Sequence, residues 1–495
     1  MADRVVPPAT LIIEIDALIQ SIAVDAQAML AEWRVWDIAP GFQPCAQNLA
    51  DYLALRRHDL RPLQRALMRL GLSSLGRLES RVVPALITVR AALAALNGEI
   101  WRAPVDDDTF FAGDARLAAA AEALFGTARR TRSAALMVTC PTEAADDPAF
   151  MQHLAARGVE ALRINCAHDG PAQWERMIAH ARAATLPGAP PMKVFMDLAG
   201  PKLRTGKIRA HHHARHVFTG DRIAIVAPDA IDCKVPADVR FTMTCTLPEA
   251  IAAAAPGQRL LIDDGHVAAM ITAREGPMLL ADVVRTRDKG IKLRPEKGIN
   301  LPDTAMAIPA LTAADRAALA FVAKHADGIG YSFVQNADDV AALQAELARL
   351  RPHDWDRMAL VLKIETARAV SELPEIIVRA AARQPVAVMI ARGDLAIEIG
   401  FARLAEMQEE ILWIAEAAQV PVIWATQVLE QLVKEGMPNR GELTDAAMGA
   451  RAECVMLNKG PYLLEAIDWL DTLLGRMEHH LHKKTPQLRP LASWA

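Results

Sequence analysis

The sequence is poor in cysteine and contains no long uncharged apolar run. Its 495 residues include six cysteines without a CxxC pair, which argues for a reducing compartment and against disulfides or a zinc site. No uncharged apolar stretch reaches the ~20 residues that a bilayer-spanning helix needs, and the first residues lack the features of a signal peptide. The formal net charge of −4 gives no electrostatic reason to expect nucleic acid or an acidic membrane as a partner. These absences predict a soluble, cytoplasmic protein.

The N-terminal part of the chain has a helical pattern. Apolar positions recur at three and four across residues 9–33 and 46–99, where Ala and Leu dominate, which predicts amphipathic helices. A kink or break is expected near Pro62, and a helix end at Gly71. Several arginines in the second segment could bind an anion or a partner, but a solvated helix face is the commoner arrangement. We predict a helical extension over 1–132 and no particular role for it.

From residue 133 short apolar runs alternate with amphipathic helices. The runs are 134–140, 161–167, 193–200, 328–334, 359–365, 387–394, 421–427 and 454–460. Apolar strands that alternate with helices indicate a parallel sheet covered on its outer face. Eight such units make a (β/α)8 barrel, in which active sites gather at the C-terminal ends of the strands.

One interval departs from this rhythm. Between 207 and 297 short alternating segments are separated by Gly, Pro and Asp, which predicts a small all-β domain inserted after the third strand, where it can act as a lid. The predicted fold class is therefore α/β: a (β/α)8 TIM barrel with an inserted β-barrel-like lid domain and an α-helical N-terminal extension. The predicted boundaries are 1–132 for the extension, 133–206 and 298–483 for the two parts of the barrel, 207–297 for the lid and 484–495 for a C-terminal tail.

Two carboxylates and a lysine stand at the predicted ends of adjacent strands. Lys363 and Glu365 lie in KIE, and Asp394 lies in ARGDL. Such carboxylates can hold Mg²⁺ or Mn²⁺, hard cations that prefer oxygen ligands and leave positions open for substrate. Side chains alternate along a strand, so Lys363 faces the same way as Glu365 and can neutralise a transferring phosphoryl group or an enolate. A buried Lys–Glu pair beside an unrelated Asp is the structural alternative, and ARGDL on the next strand weighs against it.

Further polar groups follow the same strand ends. If a short helix starts in ARGDLAIEI, its N–H groups near Gly393 and Asp394 make a seat for a carboxylate or phosphate. Thr426 can add a hydroxyl there, or can simply bond to its local backbone. Arg163 and Arg204 supply fork-shaped donors suited to phosphate. Each alone could be a structural ion pair, whereas two at neighbouring strand ends favour phosphate binding.

These residues lie in motifs that occur together in one known family. In chain order they are RIN-x-x-H, D-x-x-GP-x-x-RTG, DDG, KG-x-NLP, GYSF, KIE, ARGDL-x-IEI and ATQ-x-LE. Over roughly 133–475 the chain resembles the pyruvate kinases. The resemblance implies transfer of phosphate from phosphoenolpyruvate to ADP, followed by protonation of the enolate to pyruvate. It also implies phosphoenolpyruvate/pyruvate and ADP/ATP as the small-molecule partners.

Roles at the substrate and the metal follow from the resemblance, residue by residue. Glu365 and Asp394 would hold the catalytic divalent metal, Mg²⁺ or Mn²⁺. Lys363 would stabilise the phosphoryl group in flight and the developing enolate. Gly393, Asp394 and Thr426 would seat the substrate carboxylate, with Thr426 close to the path of proton delivery.

The resemblance also implies a set of phosphate-binding residues. Arg163, with a part in catalysis, and Arg204 would grip phosphates, and Asn165 and His168 would lie toward the nucleotide phosphates. Lys297 would bring a further charge from the lid boundary onto ADP. Three more residues match the family around the site, namely Asp264 in the inserted domain and Ser332 and Phe333 behind the metal pair.

The monovalent-cation site of the family is altered in this chain. Its usual Asn, Ser, Asp and Thr ligands correspond to Asn165, Ala167, Asp197 and Leu198, so two ligands have lost their oxygen. Lys202 stands where potassium-requiring members have a Glu, and it places a fixed positive charge near the site. We therefore predict potassium independence, as in the lysine-bearing branch of the family. Decay of the site is the alternative explanation.

Other departures concern regulation and assembly. The residues after the eighth strand are too few for the C-terminal domain that carries effector control in many family members, so we expect no sugar-phosphate activation through it. A homo-oligomer is possible, but the usual tetramer cannot be assumed. VTCPTEAADD stands where the family has a Thr-Ile-Gly-Pro-like turn, which puts nucleotide contacts there in doubt.

Two other functions are compatible with parts of the pattern. A metal-dependent pyruvate or enolate aldolase or lyase would use the same carboxylates without a nucleotide. A non-catalytic protein could bind the metabolite and signal through its helical N-terminus. The inserted domain, Lys297 and the two phosphate arginines weigh against the first, and intact Lys363 and Thr426 weigh against the second.

Overall fold

The computed structural model describes residues 6–126, 132–304, 308–478 and 480–486. Its N-terminal part is helical, as predicted. The helices are α1 (Pro8–Trp33), α2 (Gln43–Leu55), α3 (Arg61–Arg69), α4 (Val82–Leu96), α5 (Asp107–Phe110) and α6 (Ala112–Phe125). The predicted break falls between α2 and α3, because Pro62 lies in the first turn of α3, where its missing N–H has no partner to lose.

The N-terminal helices bury an apolar stripe. On α1 the buried positions Leu11, Ile15, Leu18 and Ile22 recur at three and four residues, the spacing of one helix face. This face packs against α2 and α4. The same continuous apolar core extends to the outer face of the barrel, so the helical part is anchored on the barrel by burial.

The barrel begins with three parallel strands. They are β1 (Ala135–Thr139), β2 (Ala161–Asn165) and β3 (Lys193–Asp197). A 3₁₀ turn (Thr142–Ala145) and α7 (Pro148–Ala156) connect β1 to β2, and α8 (Pro171–Ala183) connects β2 to β3.

A second sheet follows β3, where an all-β insertion was predicted. Its strands are β4 (Thr205–Ala210), β5 (Arg222–Val226), β6 (Val239–Cys245), β7 (Arg259–Ile262), β8 (Val267–Glu275), β9 (Met278–Arg285) and β10 (Ile299–Asn300), with α9 (Pro248–Ala253) after β6. Their order is β10-β7-β8-β9-β5-β6-β4. An antiparallel bridge between Arg204 and Gly298 joins the two edges, so the sheet curls on itself.

The remaining elements complete the barrel. They are α10 (Ala313–His325), β11 (Gly328–Tyr331), α11 (Ala337–Leu350), a 3₁₀ turn (Trp355–Arg357), β12 (Ala359–Ile364), α12 (Ala367–Ser371), α13 (Leu373–Ala381), β13 (Val386–Ala391), α14 (Arg392–Ile399), α15 (Phe401–Ala417), β14 (Val422–Ala425), α16 (Glu430–Glu435), α17 (Arg440–Met448), a 3₁₀ turn (Gly449–Arg451), β15 (Cys454–Leu457), α18 (Leu463–Met477) and the hairpin strands β16 (Leu481–His482) and β17 (Thr485–Pro486). The closed order β1-β15-β14-β13-β12-β11-β3-β2 confirms the eight-stranded parallel barrel.

Helix α6 closes one end of this barrel. Leu124 and Phe125 at its C-terminal end are buried in the cluster of inward-facing barrel side chains. The Phe125 ring lies 6.0 Å from that of Phe195, and the cluster includes Ala135 and Ala359, the first residues of β1 and β12. The N-terminal ends of the strands are therefore covered, and the C-terminal ends remain for a site.

The domain boundaries remain a prediction. The strands of the second sheet run from Thr205 to Asn300, which brackets the predicted interval 207–297. Most of the predicted tail, 484–495, lies outside the described residues. In the described part of the chain no helix combines the length and apolar character needed to cross a membrane, and a cytoplasmic location stays a prediction.

Candidate functional site

A buried lysine lies at the centre of the C-terminal strand ends. Lys363 is near the end of β12, and its ammonium donates to Ser332 Oγ at 2.7 Å. The same Nζ lies 3.1 Å from Glu365 Oε1 and 3.4 Å from Asp197 Oδ2. The three charged residues are almost fully buried. The structure thus brings the two KIE residues together with the end of β3, which lies two strands away.

The protonation states in this cluster follow from burial and charge. Burial opposes the charged form of Lys363, but the Glu365 and Asp197 carboxylates outweigh it and raise the lysine pKa above its ordinary value. Burial likewise opposes the charged form of Asp197, but Arg163 and Lys363 outweigh it and lower the pKa of this carboxyl. The cluster therefore keeps an ammonium and a carboxylate away from water at neutral pH.

Glu365 and Asp394 form the candidate metal pair. Burial, supported by the charge of Asp394, raises the pKa of Glu365 against the opposing effect of Lys363. Glu365 Oε2 accepts a hydrogen bond from the Phe333 N–H at 2.6 Å. Since the charge of Asp394 disfavours ionisation of Glu365, a cation between the two carboxylates would relieve that repulsion.

The donor set fits Mg²⁺ or Mn²⁺ better than a cage-bound metal. Among the described residues no group of three or more His, Cys, Asp or Glu side chains is assembled to hold an ion. A pair of carboxylates that leaves the other positions to water and substrate is the arrangement that Mg²⁺ prefers. A cleft of about 470 Å³ reaches Asp394 and Lys202 from solvent, so an ion and a substrate have access.

Asp394 is engaged by a lysine in this structure. Lys202 Nζ lies 2.7 Å from Asp394 Oδ1 and 3.0 Å from Oδ2. The two side chains are 26% and 19% exposed, so the pair lines the cleft. Among the described residues the Lys202 ammonium thus bonds to the candidate metal ligand rather than to Asn165 or Asp197, near which it was expected.

Asn165 and Asp197 are the two positions of the altered monovalent-cation site that keep a side-chain oxygen. Asn165 and Asp197 are neighbours in the register of β2 and β3, and Asn165 Oδ1 accepts from the Ala167 N–H at 3.1 Å. Asp197 Oδ1 is buried without a hydrogen-bond partner in the described structure. It packs against Gly330, where an added Cβ would lie 1.9 Å away.

A short helix starts directly after β13, where the sequence allowed one. Helix α14 begins at Arg392, and the Gly393 N–H donates to Thr426 Oγ1 at 2.7 Å. Thr426 follows β14, so the structure brings Gly393, Asp394 and Thr426 together. The Gly393 N–H, which the sequence offered as a donor to a carboxylate or phosphate, is thus bonded to Thr426 in this structure.

The backbone that carries Thr426 is strained. Thr426, Gln427 and Leu429 have φ values of 62°, 55° and 48°, in the left-handed region that L-residues avoid and that a β-branched residue adopts only as an outlier. Each such residue costs about 1–3 kcal/mol and persists only where its surroundings enforce it.

Arg392 was not predicted as a site residue. Its side chain is 7% exposed. Nε donates to the Ala425 carbonyl at 2.9 Å and Nη2 to the Thr426 carbonyl at 2.6 Å, Nη1 bonds to Asp445, and the guanidinium carbon lies 4.7 Å from the Trp424 ring centre. The signal available in the sequence was its place in ARGDL, next to Gly393 and Asp394.

The predicted phosphate-binding residues lie around the cluster. Arg163 Nε donates to Asp197 Oδ2 at 2.7 Å and Nη1 to Thr139 Oγ1 at 3.2 Å, so Arg163 is at least a structural ion pair. Burial and the charges of Lys459, Arg204 and Arg163 lower the pKa of His168. Together these cations outweigh the opposing charge of Asp169 at His168.

The inserted sheet holds its own predicted residues. Arg204 Nη1 donates to the Glu296 carbonyl at 3.0 Å, and Lys297 Nζ pairs with Asp263 Oδ1 at 2.8 Å. Asp264 has a φ of 53°. In the structure Lys297 thus bonds within the insertion and not to the buried lysine cluster.

Comparison with known proteins identifies what this chain is similar to. The family described as pyruvate kinase, barrel domain, matches residues 131–467. A pyruvate kinase of Methylorubrum extorquens is 29% identical over 360 residues, which cover 71% of this chain and 70% of that protein. A pyruvate kinase of Agrobacterium vitis is 30% identical over 352 residues, 68% of this chain and 67% of that protein. One of Aeropyrum pernix is 28% identical over 345 residues, 68% and 69% of the two chains.

Proposed function

The chain belongs to the pyruvate kinase family, and from this premise we propose that it transfers phosphate from phosphoenolpyruvate to ADP without a need for potassium. The observation that carries the proposal is the buried Lys363 ammonium, held by Ser332, Glu365 and Asp197 at the C-terminal strand ends. A fixed positive charge in a water-poor site stabilises negative charge as it develops on the phosphoryl group and the enolate.

The two carboxylates support the use of a divalent metal. Glu365 and Asp394 would hold Mg²⁺ or Mn²⁺, which supplies charge neutralisation at the phosphoryl oxygens when bound. Lys202 would then share Asp394 or move away from it, because its ammonium contacts both carboxylate oxygens.

The seat at α14 supports binding of the substrate carboxylate. The Gly393 N–H points at Thr426 Oγ1, and a carboxylate placed there meets both an amide donor and a hydroxyl. Thr426 is then adjacent to the enolate, where its hydroxyl can take part in proton delivery to carbon. Arg163, Arg204, Asn165, His168 and Lys297 would contact the phosphates of substrate and nucleotide.

Potassium independence is supported by the missing ligands of the monovalent-cation site. Ala167 and Leu198 lack side-chain oxygens for a monovalent ion, and Lys202 supplies a fixed ammonium in the cleft, on Asp394. We expect turnover to change little when potassium is replaced by a large organic cation. A loss of about tenfold in rate on this replacement would contradict the proposal.

The decisive experiment is Mg²⁺- and ADP-dependent formation of pyruvate from phosphoenolpyruvate by the purified protein. Lys363→Met should lower turnover by about 10²–10³-fold or more, since preorganised electrostatic donors contribute on that order. Arg368→Met, which removes an exposed cation that lines the same cleft, serves as the control.

The same assay separates the alternatives. If wild type and Lys363→Met are equally inert with all nucleoside diphosphates tested, the phosphotransfer proposal is wrong. Cleavage or condensation of oxo acids without nucleotide would then indicate an aldolase or lyase. Binding of phosphoenolpyruvate without turnover would indicate a metabolite-binding protein.

A further inference from the structure

We propose that Arg392 is a positioning residue, which holds the strained turn after β14 and thereby sets the place of the Thr426 hydroxyl at Gly393 and Asp394. The proposal rests on the proposed function only for the use that the reaction makes of this hydroxyl. The geometry of the turn stands by itself.

The contacts of Arg392 converge on one short piece of backbone. Its Nε and Nη2 donate to the carbonyls of two consecutive residues, Ala425 and Thr426. Consecutive carbonyls of an extended strand point in opposite directions, so one guanidinium reaches both only because the chain turns there. The two bonds are therefore specific for the turned backbone.

The turn needs such support. Thr426, Gln427 and Leu429 all lie in the left-handed region, and a β-branched residue does not hold that conformation unaided. Without the two carbonyl bonds the backbone would relax toward ordinary φ values. The hydroxyl of Thr426 would then leave the Gly393 N–H.

The position of Arg392 couples two strand ends. Arg392 is the first residue of α14, directly before Gly393 and Asp394, while its side chain reaches across to the end of β14. The Gly393–Thr426 bond of 2.7 Å closes the same connection from the other side. A single side chain thus fixes the position of the Thr426 hydroxyl relative to Asp394, the candidate metal ligand.

Two further contacts fix the guanidinium itself. Asp445 on α17 bonds to Nη1, and the Trp424 ring lies beneath the guanidinium. A planar fork that stacks on an aromatic ring is available to arginine but not to lysine. We therefore expect Arg392→Lys to keep the charge and lose most of the function.

A double-mutant cycle tests whether Arg392 acts through Thr426. Turnover is measured for the wild type, Arg392→Gln, Thr426→Ala and the double variant. Arg392→Gln should lower kcat by about 100-fold, the size expected when a reacting group is misplaced by about 1 Å. In the Thr426→Ala background it should change kcat by less than about twofold. Multiplied losses in the double variant would overturn the proposal.

A second measurement does not depend on turnover. Hydrogen exchange of backbone amides in peptides spanning 391–400 and 422–430 should be faster in Arg392→Gln and Arg392→Lys than in the wild type. The matched control is Arg451→Gln, which removes a similarly buried guanidinium (11% exposed, paired with Glu409) from the opposite end of the barrel. It should leave exchange in these peptides unchanged.

The two measurements keep the proposals distinguishable. If the wild type does not turn over phosphoenolpyruvate, the proposed function fails, and the exchange data alone judge Arg392. Unchanged exchange in Arg392→Gln overturns the positioning role whatever the activity. If Arg392→Gln yields too little folded protein, Arg392→Lys supplies the same comparison.

Discussion

At the residue scale, Lys202 connects two sites that the family resemblance treats separately. It stands at a position that the resemblance relates to potassium, yet its ammonium contacts both oxygens of Asp394, the candidate ligand of the divalent metal. A divalent ion held by Asp394 would therefore compete with the Lys202 ammonium for that carboxylate. This competition follows from the structure and is absent from the motif.

Removing the Lys202 charge should strengthen binding of the divalent ion. For Lys202→Met we expect about tenfold tighter binding of Mn²⁺, since a unit charge at this distance near a protein surface contributes a few kcal/mol before solvent screening. Electron paramagnetic resonance of free Mn²⁺, with no substrate present, measures the affinity directly. Arg368→Met lies on the same cleft and should not change it. Weaker binding in Lys202→Met would show that the ammonium does not oppose the metal.

At the element scale, α6 covers the N-terminal end of the barrel, which the strands themselves leave open. The strands of an eight-stranded barrel surround a core of packed side chains but leave its two ends uncovered. The end of α6 fills the lower one with Leu124 and Phe125, which are 4% and 2% exposed. The helical extension is thus part of the barrel core at this point, and its removal would expose the inward-facing layer.

Shortening the buried side chain at the end of α6 should lower the stability of the fold and leave the candidate site unchanged. Phe125→Ala should reduce the free energy of unfolding by about 3–5 kcal/mol, the usual cost of deleting a buried phenyl ring. Urea titration followed by circular dichroism measures this change. Phe401→Ala, which removes a ring that is 68% exposed, provides the matched control and should cost little. Equal losses in both variants would mean that Phe125 does not fill the barrel end.

At the scale of the whole molecule, the Glu416 carboxyl interacts electrostatically with charged residues from several parts of the chain. Glu416 lies on α15, and the charges that act on it are those of Lys483, Glu79, Glu453 and Lys484. Lys483 pairs with Glu453, and Lys484 pairs with Glu79 of the N-terminal helical part. The C-terminal hairpin thereby links the barrel base to the N-terminal helices through alternating charges.

This arrangement makes stability depend on pH. Burial raises the pKa of Glu416 to about 7. The charge of Lys483 opposes this rise, and the charges of Glu79 and Glu453 add to it. The ionised form is disfavoured in the fold, so stability is lost as pH rises from the unfolded pKa toward 7. Glu416→Gln should then stabilise the protein by about 2–3 kcal/mol at pH 8 and by almost nothing at pH 4. Thermal unfolding at both pH values measures it, and an equal gain at both would refute a titration effect.

Much of the fold follows from local patterns. The alternation of apolar runs with helical segments predicted the eight strands of the barrel, because a strand buried on both faces must be apolar throughout. The all-β insertion showed itself by a change of period from helical to alternating. The break near Pro62 followed from the missing N–H of proline. The domain boundaries were not open to the same reasoning, since strand pairing such as that of Arg204 with Gly298 joins distant residues.

The sequence predicted which residues lie at the candidate site better than it predicted the contacts between them. The sequence by itself determined that Lys363, Glu365, Asp394 and Thr426 stand at strand ends, because the position of a residue in a strand and the direction of its side chain are local properties of the chain. Only the tertiary structure decided that Lys202 bonds to Asp394, 192 residues away, and that the overlooked Arg392 supports the turn at Thr426. Such contacts depend on how the closed barrel places separate strand ends within hydrogen-bonding distance, and no local pattern encodes that placement.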